Sequence, residues 1–147
     1  MQLRILNKKE ISRILNKVKE QFGIIDIKFN YGMLQNKEGK IFFITSSLNK
    51  VDLNKLRINE LGLYVIKDDK EIRLTIEGSQ IFGEYATKNV LEVDEDDAYG
   101  WMSGNKIKCD KVYNGFVIIK HKDNYLGSGK YKEGVILNYI PKERWIK

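Results

Sequence analysis

The sequence predicts an α+β protein: a mixed α/β N-terminal part followed by a small β pseudo-barrel with short helices. Three observations predict it. One segment near the start has apolar residues at helical spacing, the middle carries β-type runs with a hairpin signal, and the last third holds only short strands broken by glycine- and asparagine-containing turns. The organisation expected is an α/β part over residues 1–60 and the pseudo-barrel over residues 61–147.

Taken in order, Lys8 to Phe22 reads as a helix. Ile11, Ile14, Leu15, Val18 and Phe22 make one apolar stripe, Asn7 with Glu10 fits a capping box, and Gly23 stops the run. The opposite face, with Lys8, Lys9, Arg13, Lys17 and Lys19, reads as solvated. Ile24 to Phe29 and Lys40 to Thr45 read as strands, with turn chemistry at Asn30, Gly32, Asn36 and Gly39. Ser46 to Leu61 is ambiguous; Leu48, Val51, Leu56 and Leu61 fit one short helix. Leu61 to Ile66 and Glu71 to Ile76 flank a hairpin turn at residues 67–70. Gly78 to Tyr85 reads as a short helix with Ile81, Phe82 and Tyr85 on one side. A strand at Asn89 to Val93 leads to a helix capped by Asp94, whose acidic first turn suits the helix dipole. Ala98, Trp101 and Met102 should face the core, and Gly104 should end that helix. Strands at Lys106 to Cys109, Gly115 to Lys120, Tyr125 to Leu126 and Val135 to Tyr139 complete the reading, with Gly127-Ser128-Gly129 as a tight turn.

Composition is that of an ordinary globular domain: 147 residues, 42% hydrophobic and 31% charged. No apolar run reaches the roughly 18 residues of a membrane span, and the early charges argue against a signal peptide. The lone Cys109 excludes an internal disulfide and a cysteine-based zinc site. A cytoplasmic protein is expected. Net charge is +6, unevenly spread. Residues 89–104 carry five acidic and no basic side chains, while residues 105–147 carry ten basic and four acidic ones. A basic C-terminal third suits a polyanionic partner.

Several motifs fail on inspection. Gly127-Ser-Gly-Lys130 lacks the first glycine of a P-loop, since position 124 is Asn, and Tyr131 stands where Ser or Thr is required. A calcium loop needs Gly at its sixth and Glu at its twelfth position; counted from Asp94 these are Tyr99 and Asn105. His121 is the only histidine and has no recognisable triad partners, and Cys109 has no nucleophile signature. No cofactor loop of the dinucleotide or S-adenosylmethionine type is present. No catalytic residue, metal site or cofactor is therefore expected.

Residues 99–147 form one recognisable unit. Tyr99-Gly-Trp-Met-Ser-Gly-Asn-Lys-Ile107 ends a helix and enters a strand, and Gly115-Phe-Val-Ile-Ile119 is a buried strand. Asn124-Tyr-Leu-Gly-Ser-Gly-Lys130 follows, then Gly134 to Lys142 and Glu143-Arg-Trp145. This order resembles the PUA-like RNA-binding C-terminal domain of Sun/Fmu-type (RsmF-like) RNA cytosine-5 methyltransferases, best at Leu126, Gly127, Gly129, Lys130, Asn138, Pro141 and Lys142. It departs at Ser103, where the family often has Arg, at Phe116 and Ser128, where it often has Trp, and by one extra residue between Tyr139 and Pro141. The resemblance implies a PUA-like pseudo-barrel that binds RNA without the methyltransferase domain.

The residues agree with that implication. Lys106, Lys108, Lys120, Lys122, Lys130, Lys132, Lys142 and Arg144 are candidates to neutralise phosphates, with Lys130 foremost because two glycines precede it. Tyr131 and Trp145 are candidates to stack on unpaired bases, whereas Tyr139 and Phe116 sit in apolar runs and read as core. The expected function is non-catalytic recognition of structured rRNA or tRNA in RNA modification or ribosome biogenesis, with a separate RNA methyltransferase chain as a candidate partner. The alternative is a protein-interaction adaptor in ribosome assembly, docking through residues 92–97 or the N-terminal helix, with only non-specific RNA affinity. A small enzyme of unrecognised type is the third possibility.

Overall fold

The computed structural model describes residues 3–27, 29–45 and 62–147. Strand β1 (Leu3–Ile5), helix α1 (Lys8–Phe22), β2 (Tyr31–Asn36), β3 (Lys40–Thr45), β4 (Leu63–Asp68) and β5 (Ile72–Leu74) come first. Their strands form one antiparallel sheet in sequential order. Helix α1 begins and ends where its local chemistry dictates. Asn7 Oδ1 accepts from the Glu10 amide at 2.9 Å, and Glu10 Oε1 accepts from the Asn7 amide at 3.1 Å. Gly23 leaves the helix in the left-handed region at φ +62°. Ile14, Val18 and Phe22 are fully buried against Met33, Ile41, Phe43 and Val65 of the sheet. The other sheet face buries Leu34, Phe42 and Ile44 in a smaller cluster.

One expected strand is displaced. Residues 24–27 are not a strand; Ile24 is buried, Ile27 and Phe29 pack on the core, and Ile25 is 91% exposed. The partner of β3 is instead β2, which takes in Gly32. Gly32 pairs with Ile44, whose Cγ1 lies 3.0 Å from where a Cβ would stand, so the glycine makes room for its neighbour rather than for a turn. The turn is at residues 36–39, where Asn36 Oδ1 accepts from the amides of Glu38 and Lys40. The reading of Ser46 to Leu61 as a helix lies outside the described residues. The boundary expected at 60/61 falls within the first sheet, because β3 pairs with β4 across it.

The chain continues through α2 (Ile76–Phe82), a 3-10 turn (Gly83–Tyr85), β6 (Val90–Glu92), α3 (Glu95–Met102), β7 (Ile107–Lys108), β8 (Phe116–His121), β9 (Asn124–Lys132), β10 (Val135–Asn138) and a 3-10 turn (Lys142–Arg144). Phe82 of α2 is buried as expected, whereas Tyr85 stays exposed. The second sheet has the order β6-β8-β9-β10-β7. Only β6 and β8 run parallel among these pairs, joined by the crossover that holds α3. Asp94 Oδ1 caps α3 through the Asp97 amide at 2.8 Å. Ala98 and Trp101 then pack on Ile107, Val117, Ile119 and Ile136. The predicted α+β class holds, with a curled half-barrel sheet.

The Leu-Gly-Ser-Gly-Lys stretch is a correction. It is not a tight turn but the middle of β9, nine residues long. A Cβ on Gly129 would lie 2.1 Å from the Leu137 carbonyl oxygen and 2.5 Å from the Trp101 ring, so only glycine lets the strand pass between them. Ser128 faces the first sheet. Its hydroxyl donates to Leu74 O at 2.8 Å and stands 3.2 Å from the Leu74 amide, which donates to it. Beside it the Gly127 amide donates to Ser79 Oγ at 2.8 Å. The outer edge of β5 is thereby closed by a side chain instead of another strand, and the two sheets meet along this seam.

Candidate nucleic-acid interface

The structure disperses the cations read from the sequence. Lys108 and Lys132 both pair with Val135, so they flank it at one end of the second sheet, with exposed Lys106 adjoining. Lys122 is at the opposite end, in the β8–β9 turn, and the Lys120 ammonium lies 5.7 Å from the Tyr125 ring centre. Eight residue steps along β9 of about 3.3 Å each put these two ends roughly 26 Å apart. Lys142 is exposed in the last 3-10 turn. Arg144 is already engaged, forming a two-bond fork to Glu77 at 2.6 and 2.7 Å.

The aromatic expectations shift as well. Tyr131 is half-buried, set edge-on to Tyr113 at 6.1 Å. Trp145 is half-buried too; its indole N–H donates to Ile140 O at 2.8 Å and its ring covers Gly104. Neither ring is a free platform. Tyr139, read as core, is instead 39% exposed. Strand β10 ends at Asn138, whose Oδ1 accepts from the Ile140 amide, and this bend turns the tyrosine outward.

What gathers is a cleft between the sheets. Lys67, Asp69, Lys70, Glu71 and Arg73 of the β4–β5 hairpin face Phe116, Lys130 and Tyr139 across a space of about 330 Å3. A second compartment of about 250 Å3, reaching Lys40, Tyr64, Thr75 and Pro141, shares Arg73 and Tyr139 with the first. The Arg73 guanidinium lies 5.2 Å from the Tyr139 ring centre, and Phe116 meets that ring edge-on at 5.1 Å. Arg73 has no ion-pair partner among the described residues. Lys130 Nζ donates to Glu71 Oε1 at 2.5 Å, and this bond holds the lysine pKa above its ordinary value. Glu71 Oε2 is buried with no hydrogen-bond partner among the described residues. Of the residues lining the first compartment the sequence reading singled out only Lys130 as a phosphate contact; the one signal for Arg73 was its place between buried Ile72 and Leu74 on a strand.

The remaining chemistry is quiet. Burial, then nearby Asp110, pushes the Cys109 thiol above its ordinary 9.0, which disfavours the reactive thiolate. His121 Nδ1 donates to Val93 O at 2.9 Å. Among the described residues no group of three or more His, Cys, Asp or Glu is placed to hold a metal, and no helix is long and apolar enough to cross a membrane.

Two carboxylates tie distant segments together. The Arg144 bonds hold Glu77 below its ordinary 4.5 against the opposing effect of burial. Burial raises the Asp68 carboxyl, but the bonds from Lys17 and Arg13 more than offset it and bring it below 3.8. A depressed folded value means stability that is complete above the ordinary value and lost as pH falls through the folded one. Urea midpoints taken from about pH 7 to about pH 3 should fall below the carboxylate range, and Glu77→Gln should flatten that fall. A midpoint equally pH-dependent in the variant would remove Glu77 from the account.

Residues 88–146, from just before β6 to the last 3-10 turn, match the family model of the methyltransferase RsmF PUA domain. This segment is similar to a PUA domain of the RsmF type. Relatives extend the similarity towards the N-terminus. The chain is 26% identical over 137 residues to the ribosomal RNA small subunit methyltransferase F of Aeromonas salmonicida (strain A449), covering 92% of this chain and 28% of that protein. The same enzyme of Aeromonas hydrophila subsp. hydrophila is 27% identical with the same coverage. The chain thus spans little more than a quarter of the length of these relatives. In three dimensions it is similar to a PUA domain from Aeropyrum pernix K1, solved as a tartrate complex, with a TM-score of 0.52 and 16% identity over 88% of this chain and 71% of that one. That likeness supports the PUA-like fold. The first sheet lies outside the matched PUA segment, yet it supplies one wall of the cleft.

Proposed function

We propose that this protein binds structured rRNA or tRNA without catalysing a reaction, acts in the cytoplasm in RNA modification or ribosome biogenesis, and supplies RNA to a separate methyltransferase chain. The observation that carries the reading is the cleft, where Lys67, Lys70, Arg73 and Lys130 gather beside an exposed tyrosine on the border of a PUA domain. Cations that neutralise phosphates release counterions, so affinity should fall with salt. Lys106, Lys108 and Lys132 extend the positive surface along one end of the second sheet, and Lys120, Lys122 and Lys142 offer more distant phosphate contacts. The similarity to small-subunit rRNA methyltransferases supports the choice of rRNA.

Titration against folded rRNA and tRNA fragments and against duplex DNA, at two salt concentrations, tests this. Submicromolar binding that prefers folded RNA is expected. The variant Lys67→Ala/Lys70→Ala/Lys130→Ala should weaken it roughly ten-fold or more and lower the salt slope by about 2. Binding no tighter than to DNA, or unaltered in the variant, would overturn the reading in favour of a protein-binding adaptor.

A further inference from the structure

We propose that the inter-sheet cleft receives a single unstacked RNA nucleotide, its base laid on the Arg73 guanidinium and its phosphate held by Lys67 and Lys70. The inference rests on the RNA-binding reading and adds what kind of RNA element the cleft selects. Size is the first argument. At about 330 Å3 the compartment lined by Lys67, Lys70, Arg73 and Tyr139 is at the small end of the range of ligand pockets, roughly 300–1,000 Å3, which suits one nucleotide and not a helix. The second argument is the stack already present. Phe116 braces Tyr139 edge-on, and Tyr139 in turn supports the Arg73 guanidinium at 5.2 Å. A base placed on Arg73 would continue this stack, because guanidinium planes and rings both accept unpaired bases. The third is the state of the charges. Lys130 and Arg144 are bound to Glu71 and Glu77, whereas among the described residues Arg73 has no carboxylate to release. Its charge is open to a ligand without breaking an existing pair.

Neither half of the protein holds this arrangement alone. Arg73, Lys67 and Lys70 come from the first sheet, while Tyr139 and Phe116 come from the PUA segment. A base entering there is clasped from both sides. Selection follows from pairing: a nucleotide in a continuous duplex must first be extruded, whereas a bulged or looped one is already free.

Two RNA hairpins with the same stem test this, one fully paired and one carrying a single bulged 2-aminopurine. The wild-type protein should bind the bulged hairpin roughly ten-fold more tightly and quench its 2-aminopurine fluorescence. Tyr139→Ala and Arg73→Gln should each bring the ratio near one and abolish the quenching, whatever affinity for both hairpins Arg73→Gln loses together with its charge. Tyr139→Phe, which keeps the ring, should retain the preference. Arg73→Gln guards against a folding defect in Tyr139→Ala, and thermal melts confirm each variant. Equal binding of both hairpins by the wild type, or a ratio preserved in both variants, overturns the nucleotide site while leaving RNA binding intact. Binding of neither hairpin more tightly than duplex DNA overturns the RNA-binding reading and this inference with it.

Discussion

Trp101→Ala is expected to lower the free energy of unfolding by about 3–5 kcal/mol, enough to leave the second sheet marginal at room temperature. The ring is fully buried at the centre of the second core and touches the strand at Gly129, which has no side chain to fill the space left behind. Loss of the indole N–H also strands the Leu126 carbonyl, which accepts from it at 2.7 Å. Trp101→Phe refills most of the volume but not the hydrogen bond, so a smaller loss of about 1–3 kcal/mol is expected from that variant. Urea unfolding followed by far-UV circular dichroism separates the two. A Trp101→Ala loss below about 1 kcal/mol would mean that the core collapses around the cavity and that the tryptophan does not organise it.

Removing one oxygen atom should have the second-largest effect. Ser128→Ala leaves both the amide and the carbonyl of Leu74 without the partner they have now, in a place where Leu74 and Ser128 are each only 2% exposed. Each stranded buried group costs about 1–3 kcal/mol, and no longer burying the hydroxyl itself offsets part of that sum, so a net loss of about 2–4 kcal/mol is expected. Ser128→Thr restores the hydroxyl at the expense of an added methyl group, and recovery of part of the loss would show that hydrogen bonding matters more than volume. If Ser128→Ala proves neutral in urea titrations, water has replaced the hydroxyl and the seam is wetter than the structure indicates.

The legible parts of this fold are those whose causes are local. The Asn7 and Glu10 box and the Asp94 cap both act within a few residues, and each is found where the residues predict. The errors came from glycines with distant reasons. Gly32 and Gly129 look like turn residues, yet each yields space to a side chain or strand that pairing brings alongside: Ile44 for one, Trp101 and Leu137 for the other. The PUA-like order was legible from residues 99–147, and the family match over residues 88–146 agrees with it. The cleft was not. Lys70 and Lys130 are sixty positions apart, and only the packing of one sheet on the other brings them to the same space. Tyr139 was misread for a related reason, since its apolar neighbours indicate a strand and the bend at Asn138 that ends it depends on a side-chain bond.

The hydroxyl of Ser128 has a consequence for how the molecule breathes. The Leu74 amide hydrogen, on the outer edge of its strand, is held by that oxygen across the seam. It can exchange with deuterium only when the sheets part, whereas the Ile118 amide, bound to Asn89 O within the second half, is freed by opening that half. The ratio of the two exchange rates is therefore a gauge of how often the sheets separate while each stays folded, and so of how wide the space between them opens at rest.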